Sequence, residues 1–284
     1  MNPSLRLGVD IGGSKIEVAV LNRDGTERLR HRTPAPGADY GSAVQALAER
    51  IAAAEQEAGE ACSVGIGMPG EVSRDTGLVV NAYNTPFNGR PLKRDLEQRL
   101  AREVRFANDA NCFALSEALD GAARGAGVVF GAILGTGVGG GLVLGGRVHD
   151  GRNGIAGEWG HTPLPWMTES EYPGPPCKCG RRGCIEQFLS GPAKNRDRDA
   201  LGEDAAMALY EDRLARAFSM LIDVLDPDVI VVGGGVSKHE RLYRNVAPLL
   251  RKYVYCEHPR TAIVQAAHGD ASGVRGAALL WPAC

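Results

Sequence analysis

The chain has 284 residues, with 32 basic and 34 acidic side chains, so its charges nearly cancel. That balance offers no electrostatic attraction to nucleic acid or to an anionic membrane. The opening MNPSLRLGVD shows no leader pattern, and no apolar run reaches the roughly 18 residues of a membrane span, so a soluble, cytoplasmic protein is expected. The length is enough for a sizeable core and suggests two domains.

Leu5–Val9 reads as a short apolar strand, and Asp10-Ile11-Gly12-Gly13-Ser14 turns the chain into a second strand, Lys15–Leu21. So short a connection makes an antiparallel hairpin. Ser42–Glu57 carries Val44, Leu47 and Ile51 at helical spacing and is closed by Gly59. Val64–Met68 is a buried strand, Leu92–Arg102 a helix, Val104–Ala107 a strand and Asn111–Leu119 a helix. Val128–Leu134 and Gly141–Leu144 are strands around the glycine-rich turn Gly135–Gly141. A long helix, Asp204–Leu225, leads to strand Asp228–Val232, the turn Gly233–Gly235, a helix at Leu242–Tyr253, a strand at Ala262–Ala266 and a last helix at Gly273–Leu280. The order of hairpin, strand and helix begins twice, near Leu5 and near Val128. That duplication suggests two related α/β halves with a cleft between them.

Of the seven cysteines, Cys177, Cys179 and Cys184 lie close together with Gly180 and Gly183 among them, and His161 precedes them in a loop. A Cys3His set of this kind suits tetrahedral zinc. Glu158 and Glu186 flank it, which suits a polyhydroxylated ligand. Cys62, Cys112, Cys256 and Cys284 read as packing residues.

Glycine-rich turns that follow strands present backbone N–H donors without an intervening Cβ, which suits phosphate groups. The two GxGxxG matches, at Gly65–Gly70 and Gly135–Gly140, open no clear helix and have no acidic residue closing a second strand, so a dinucleotide fold is excluded. Gly8 to Lys15 ends in Ser-Lys and enters a strand, so it is not a P-loop. Asp109 stands where a strand passes into a helix, in Ala107-Asn108-Asp109-Ala110-Asn111. It is either an exposed reactive carboxylate or a helix cap.

The motifs Asp10–Lys15, Gly67–Gly70, Ala107–Asn111, Gly135–Gly141, Gly157–His161 and the CxCGxxGCxE run together resemble the ROK sugar kinases, over essentially the whole chain. Gly157–Met167 and the tail His268–Ala278 look most like bacterial fructokinases, also called mannokinases. The resemblance implies an α/β, actin/hexokinase-like (ribonuclease H-like) fold of two domains with a central cleft. Its domains would be residues 1–115, with a C-terminal helix at 271–284 packing back on them, and residues 116–270, which carry the zinc site. It implies ATP-dependent phosphorylation of a hexose, fructose to fructose 6-phosphate, with glucokinase, mannokinase and N-acetylglucosamine kinase as alternatives.

It also implies roles. Asp109 would be the general base. Asn84, Asn108, Asp109, Glu158, His161 and Glu186 would contact the sugar. Asp10, Gly12, Gly13, Ser14, Lys15, Gly135, Thr136, Gly137 and Gly139 would hold phosphates, and Gly233, Gly234 and Gly235 would pack on adenosine. Mg²⁺ would travel with ATP near Asp10. A structural Zn²⁺ would sit on His161, Cys177, Cys179 and Cys184, and the chain would form a homodimer. The family's Asn-Pro-Gly-Trp stretch reads Asn84-Thr85-Pro86-Phe87 here. Relatives carry a longer, largely helical segment where this chain has the short polar run Ala193–Asp199. A transcriptional regulator of the family would carry a helix-turn-helix ahead of the first strand, where this chain has only Met1–Ser4. A sugar-binding pseudokinase would lack Asp109 or the glycine turns.

Overall fold

The structure is a computed structural model and describes residues 3–82 and 85–282. Asn84 and Cys284 lie outside the described residues. The chain divides into two compact units, Met1–Ser116 with Asp270–Cys284, and Glu117–Gly269.

The first unit opens with β1 (Leu5–Ile11), β2 (Lys15–Leu21) and β3 (Glu27–Pro34), followed by α1 (Tyr40–Ala58) and β4 (Cys62–Met68). A small hairpin of β5 (Glu71–Val72) and β6 (Val79–Val80) precedes α2 (Leu92–Leu100), β7 (Val104–Asn108) and α3 (Asp109–Leu119). The sheet runs β3-β2-β1-β4-β7, antiparallel across the hairpin strands and parallel from β1 to β7. α1 starts where the Asp39 carboxylate accepts the Ser42 N–H at 2.7 Å and stops at Gly59 in the left-handed region. Its Val44, Leu47 and Ile51 are buried in the same core as Leu7, Val9, Val64 and Ile66.

β3 escaped the sequence reading because ERLRHRTP carries no apolar alternation. It is an edge strand, held in part by charge. Arg32 is the cross-strand partner of Glu17, and Glu17, which is buried, pairs with both Arg30 (3.3 Å) and Arg32 (2.8 Å).

The second unit contains β8 (Val128–Leu134), β9 (Val138–Leu144), β10 (Arg147–Val148), α4 (Glu186–Leu189), α5 (Gly191–Leu201), α6 (Glu203–Leu225), β11 (Val229–Gly233), α7 (Arg241–Leu250) and β12 (Ala262–Gln265). Its sheet runs β10-β9-β8-β11-β12 and repeats the first plan: an antiparallel hairpin edge, then parallel strands. The core packs Phe130, Leu134, Phe218, Ile222, Ile230 and Val246.

Three expectations change here. The glycine-rich turn ends at Gly137, because Val138–Leu144 pairs along all of β8 and Gly139 therefore lies in a strand. The polar run Ala193–Asp199 is helical: Ser190 caps α5 through the Ala193 N–H, and only Gly202, at φ 83°, separates α5 from α6. Cys256 is exposed rather than packed, whereas Cys62 and Cys112 are buried.

The chain then returns to the first unit as α8 (Ser272–Leu279). This helix lies directly on β1 and β4. A Cβ at Gly8 would come within 2.0 Å of Val274 O, and one at Gly65 within 1.9 Å of Ala277 O. The first GxGxxG match therefore begins at a seat for a helix backbone. Trp281 closes the contact, donating from Nε1 to Val64 O at 2.7 Å and stacking under Arg105 at 3.9 Å. Among the described residues no helix is long and apolar enough to cross a membrane.

Candidate functional site

The site residues form two groups, one in each unit. In the first, strand register does the assembling. Asp10 on β1 is level with Gly67 on β4, and Gly67 with Ala107 on β7, so Asp10, Asn108 and Asp109 emerge at the same end of three adjacent strands. The β1–β2 turn is closed by the Gly12 N–H donating to Lys15 O at 2.9 Å, which leaves Gly13 and Ser14 exposed. A cavity of about 350 Å³ borders it, lined by Ile11, Gly12, Gly13, Pro36, Thr85 and Phe87, none of them charged.

Both readings of Asp109 find a basis in the geometry. Its Oδ1 accepts the Ala110 N–H at 2.8 Å, but Asn108 Oδ1 accepts the same N–H at 2.9 Å, so capping is shared. Asn108 Nδ2 also donates to Gly70 O at 3.3 Å. Asp109 is half-buried, and its charge is felt by Asp10. Burial, then the charges of Asp109 and Glu17, push the Asp10 carboxyl up to about 7. Gly273 at the start of α8 stands against this carboxylate, since a Cβ there would lie 2.9 Å from Oδ2.

This raised value fixes a sign. The folded chain holds the Asp10 proton that the unfolded chain releases near its ordinary value of 3.8. The cost of ionising Asp10 is absent below about pH 4, grows as pH rises and is complete above about pH 7, on the order of a few kcal/mol. Asp10→Asn is expected to flatten the fall in stability between about pH 4 and pH 7, read by denaturant melts of the ligand-free protein. An unchanged slope would show that Asp10 titrates normally.

In the second unit, β8 and β11 are parallel neighbours with Ile133 level with Gly233. The turns Gly135–Gly137 and Gly233–Gly235 therefore share one end of the sheet. Gly234, at φ 82°, packs so closely on β8 that a Cβ would lie 2.4 Å from Leu134 O. Gly135 and, in the first unit, Gly13 have nothing within 4 Å of a built Cβ. Replacing Gly13 or Gly135 by Val should therefore weaken nucleotide binding, about tenfold or more, without loss of thermal stability. Gly234→Val should unfold the β8–β11 end instead. Calorimetric titration beside a thermal melt separates the two. Unaltered nucleotide affinity in both Gly13→Val and Gly135→Val would remove the turns from the nucleotide site.

His161, Cys177, Cys179 and Cys184 converge, with their donor atoms all within 4.8 Å of one another. Cys179 Sγ and Cys184 Sγ are 3.6 Å apart, and Cys177 Sγ is 3.5 Å from His161 Nδ1. With Zn–S bonds of about 2.3 Å, tetrahedral sulfurs stand roughly 3.8 Å apart, so the set fits zinc. Short bridges shape it: Pro176 pairs with Arg182, and Pro163 with Cys184. The Arg181 N–H holds the exposed Cys179 thiol down to about 6, while burial pushes Cys184 up to about 12.

Glu158 stands just ahead of the 3-10 turn Trp159–His161, its carbonyl oxygen accepting the His161 N–H at 3.2 Å. Trp159 anchors that turn, buried between Phe130 and Phe218 and donating from Nε1 to Gly139 O at 2.8 Å. Glu186 is buried, its Oε2 accepting the Val138 N–H at 3.1 Å and its Oε1 3.5 Å from Lys178 Nζ.

The sequence reading missed the ionic network under the 162–176 loop. Glu171 is gripped by Arg213 and Arg216 of α6 at 2.8–2.9 Å and by the Thr168 N–H at 3.0 Å. Burial works to raise its carboxyl, but the two guanidiniums outweigh it and hold it down at about 2. Two arginines three residues apart on an otherwise apolar helix face were the available signal.

Two α/β units of this plan have the actin/hexokinase-like fold of sugar kinases. The solved ROK hexokinase from Thermus thermophilus matches with a TM-score of 0.85 at 31% identity, over 97% of both chains. A ROK family glucokinase from Streptomyces griseus, solved with glucose and AMPPNP, matches at 0.78 and 28%, over 97% of this chain and 98% of that one. The N-acetyl-D-glucosamine kinase of Pectobacterium atrosepticum is 41% identical, over 96% of this chain and 97% of its own. That of Yersinia pseudotuberculosis is also 41% identical, with the same coverage. The profile of the ROK family matches residues 6–283, and the chain belongs to that family. Its activity is that of an ATP-dependent sugar kinase.

Proposed function

We propose that this protein phosphorylates N-acetyl-D-glucosamine with ATP. The observation that carries the reading is 41% identity to N-acetyl-D-glucosamine kinases along nearly the whole of both chains. Fructose, which the Gly157–Met167 and His268–Ala278 motifs favoured, gives way to this alternative.

Asp109 is the proposed general base. A sugar hydroxyl is a poor nucleophile at neutral pH, and Asp109 takes its proton as the oxygen attacks the γ-phosphorus and the bond from that phosphorus to the β,γ-bridging oxygen breaks, releasing ADP. Asn108 orients the sugar beside it, and Glu158, His161 and Glu186 contribute further hydroxyl contacts. With Nδ1 of His161 turned to the zinc set, Nε2 is the nitrogen that can meet a hydroxyl. The turns at Gly12–Lys15 and Gly135–Gly137 present N–H groups to the phosphates, and Gly233–Gly235 takes the adenosine. ATP would enter as its Mg²⁺ complex with Asp10 as the nearby carboxylate, and the cation would offset charge on the transferring phosphoryl group. His161, Cys177, Cys179 and Cys184 would hold a zinc ion, which would tie the sugar-contacting segments together, and four protein ligands would leave no position for a catalytic water.

A panel of N-acetylglucosamine, glucosamine, glucose, mannose and fructose, with coupled ADP detection, tests the substrate. N-acetylglucosamine should exceed each of the others in kcat/KM by at least about tenfold. A preference for fructose would overturn the substrate and leave the reaction class standing.

A further inference from the structure

We propose that Glu186 is a positioning residue for the nucleotide as well as a sugar contact, so that one carboxylate couples the two substrates. The inference rests on the reading that the Gly135–Gly137 turn holds nucleotide phosphates.

The two oxygens of Glu186 face different tasks. Oε2 accepts the N–H of Val138, the residue that follows the turn, at 3.1 Å. The carboxylate lies so close under Gly137 that a Cβ there would come within 2.6 Å of Oε2. Oε1 faces Lys178, at 3.5 Å, on the knuckle between two zinc-set cysteines. Five residues beyond Glu186, the Gly191 N–H donates to Gly135 O at 2.7 Å. The segment that leaves Cys184 therefore grips the turn at both flanks.

A buried carboxylate under a phosphate-binding turn would by itself repel the ligand. The Val138 N–H and the Lys178 ammonium offset that charge. A sugar hydroxyl donating to Oε1 would hold the carboxylate in the orientation that Oε2 needs. Hexose would then tighten nucleotide, and nucleotide would tighten hexose by the same factor.

Calorimetric titration of a non-hydrolysable ATP analogue, with and without saturating hexose, tests this. The native protein should bind the analogue about 5–10-fold more tightly with hexose present. Glu186→Ala should weaken the analogue about 5–10-fold without any hexose, since the Val138 N–H loses its acceptor. Glu186→Gln should recover that loss through its amide oxygen, yet show no hexose effect, because the amide nitrogen cannot accept a hydroxyl proton.

If Glu186→Ala binds the analogue like the native protein in the absence of hexose, Glu186 is a sugar contact alone and the proposal falls. It falls equally if Glu186→Gln keeps the full hexose effect, and this arm carries the test should the alanine variant not fold. Gly135→Val in the same titration separates the causes. Unaltered affinity there overturns the turn reading on which the proposal stands, whereas weakened binding there with an inert Glu186→Ala overturns only the coupling.

Discussion

Asp109→Asn should lower kcat by about 10²–10⁴, the usual worth of the general base proposed for this residue, in a protein that still folds. The reasoning is geometric. β1, β4 and β7 are in register, and the end of β7 delivers Asn108 and Asp109 beside Asp10. Removing the charge leaves the first turn of α3 served, because Asn108 Oδ1 already accepts the Ala110 N–H at 2.9 Å. The expected loss is therefore in kcat, with little change in melting temperature or in hexose KM. Steady-state kinetics beside a thermal melt checks both halves. A folded variant with near-native kcat would mean that Asp109 serves only as a cap.

The second large effect concerns the metal set. Protein purified without chelator should carry about one zinc per chain, and Cys177→Ala should carry less than half of that. The donor set fits a closed tetrahedral site, so a bound ion would act by holding the segments that bear Glu158, His161 and Glu186. Hexose KM should rise about tenfold or more, and the melting temperature should fall, because binding energy at a structural zinc is folding energy. The effect on ATP should be smaller, since it reaches the Gly135–Gly137 turn indirectly, through contacts such as Glu186 with the Val138 N–H and the Gly191–Gly135 hydrogen bond. Elemental analysis and paired kinetics decide the matter. A zinc-free native protein would sink the metal assignment. Collapse of ATP affinity with hexose affinity intact would move the loop to the nucleotide site.

Much of the site was legible because its chemistry is local. The cysteine set spans eight residues, and its glycines show that the backbone turns back on itself. Asp109 could be singled out because an apolar strand ends just before it. The elements missed were those whose reason is not local. β3 is mostly polar, with Leu29 alone packed on the core, and its Arg30 and Arg32 pair with the buried Glu17 of the neighbouring strand. α5 reads only as a short polar run and is helical because Ser190 caps it and Asp197 meets the buried Arg213 of α6. The glycines at 139–141 look like a loop and are strand because β8 lies opposite them.

The amino-acid order by itself determined most of the strand–helix alternation, the repeated hairpin plan and the candidate Cys3His set, which rest on periodicity, turn chemistry or local spacing, and its motifs taken together carried the family resemblance. Only the tertiary structure decided which glycines are free to meet a ligand and which carry a helix or a strand. Gly65 and Gly234 are pressed against backbone, whereas Gly13 and Gly135 are open. Only the tertiary structure, too, joined Glu186 to Val138 and Glu171 to Arg213 and Arg216. The partners in those contacts are more than 40 residues apart. No local pattern encodes a contact at that separation, because the packing of other elements sets the meeting of the two ends.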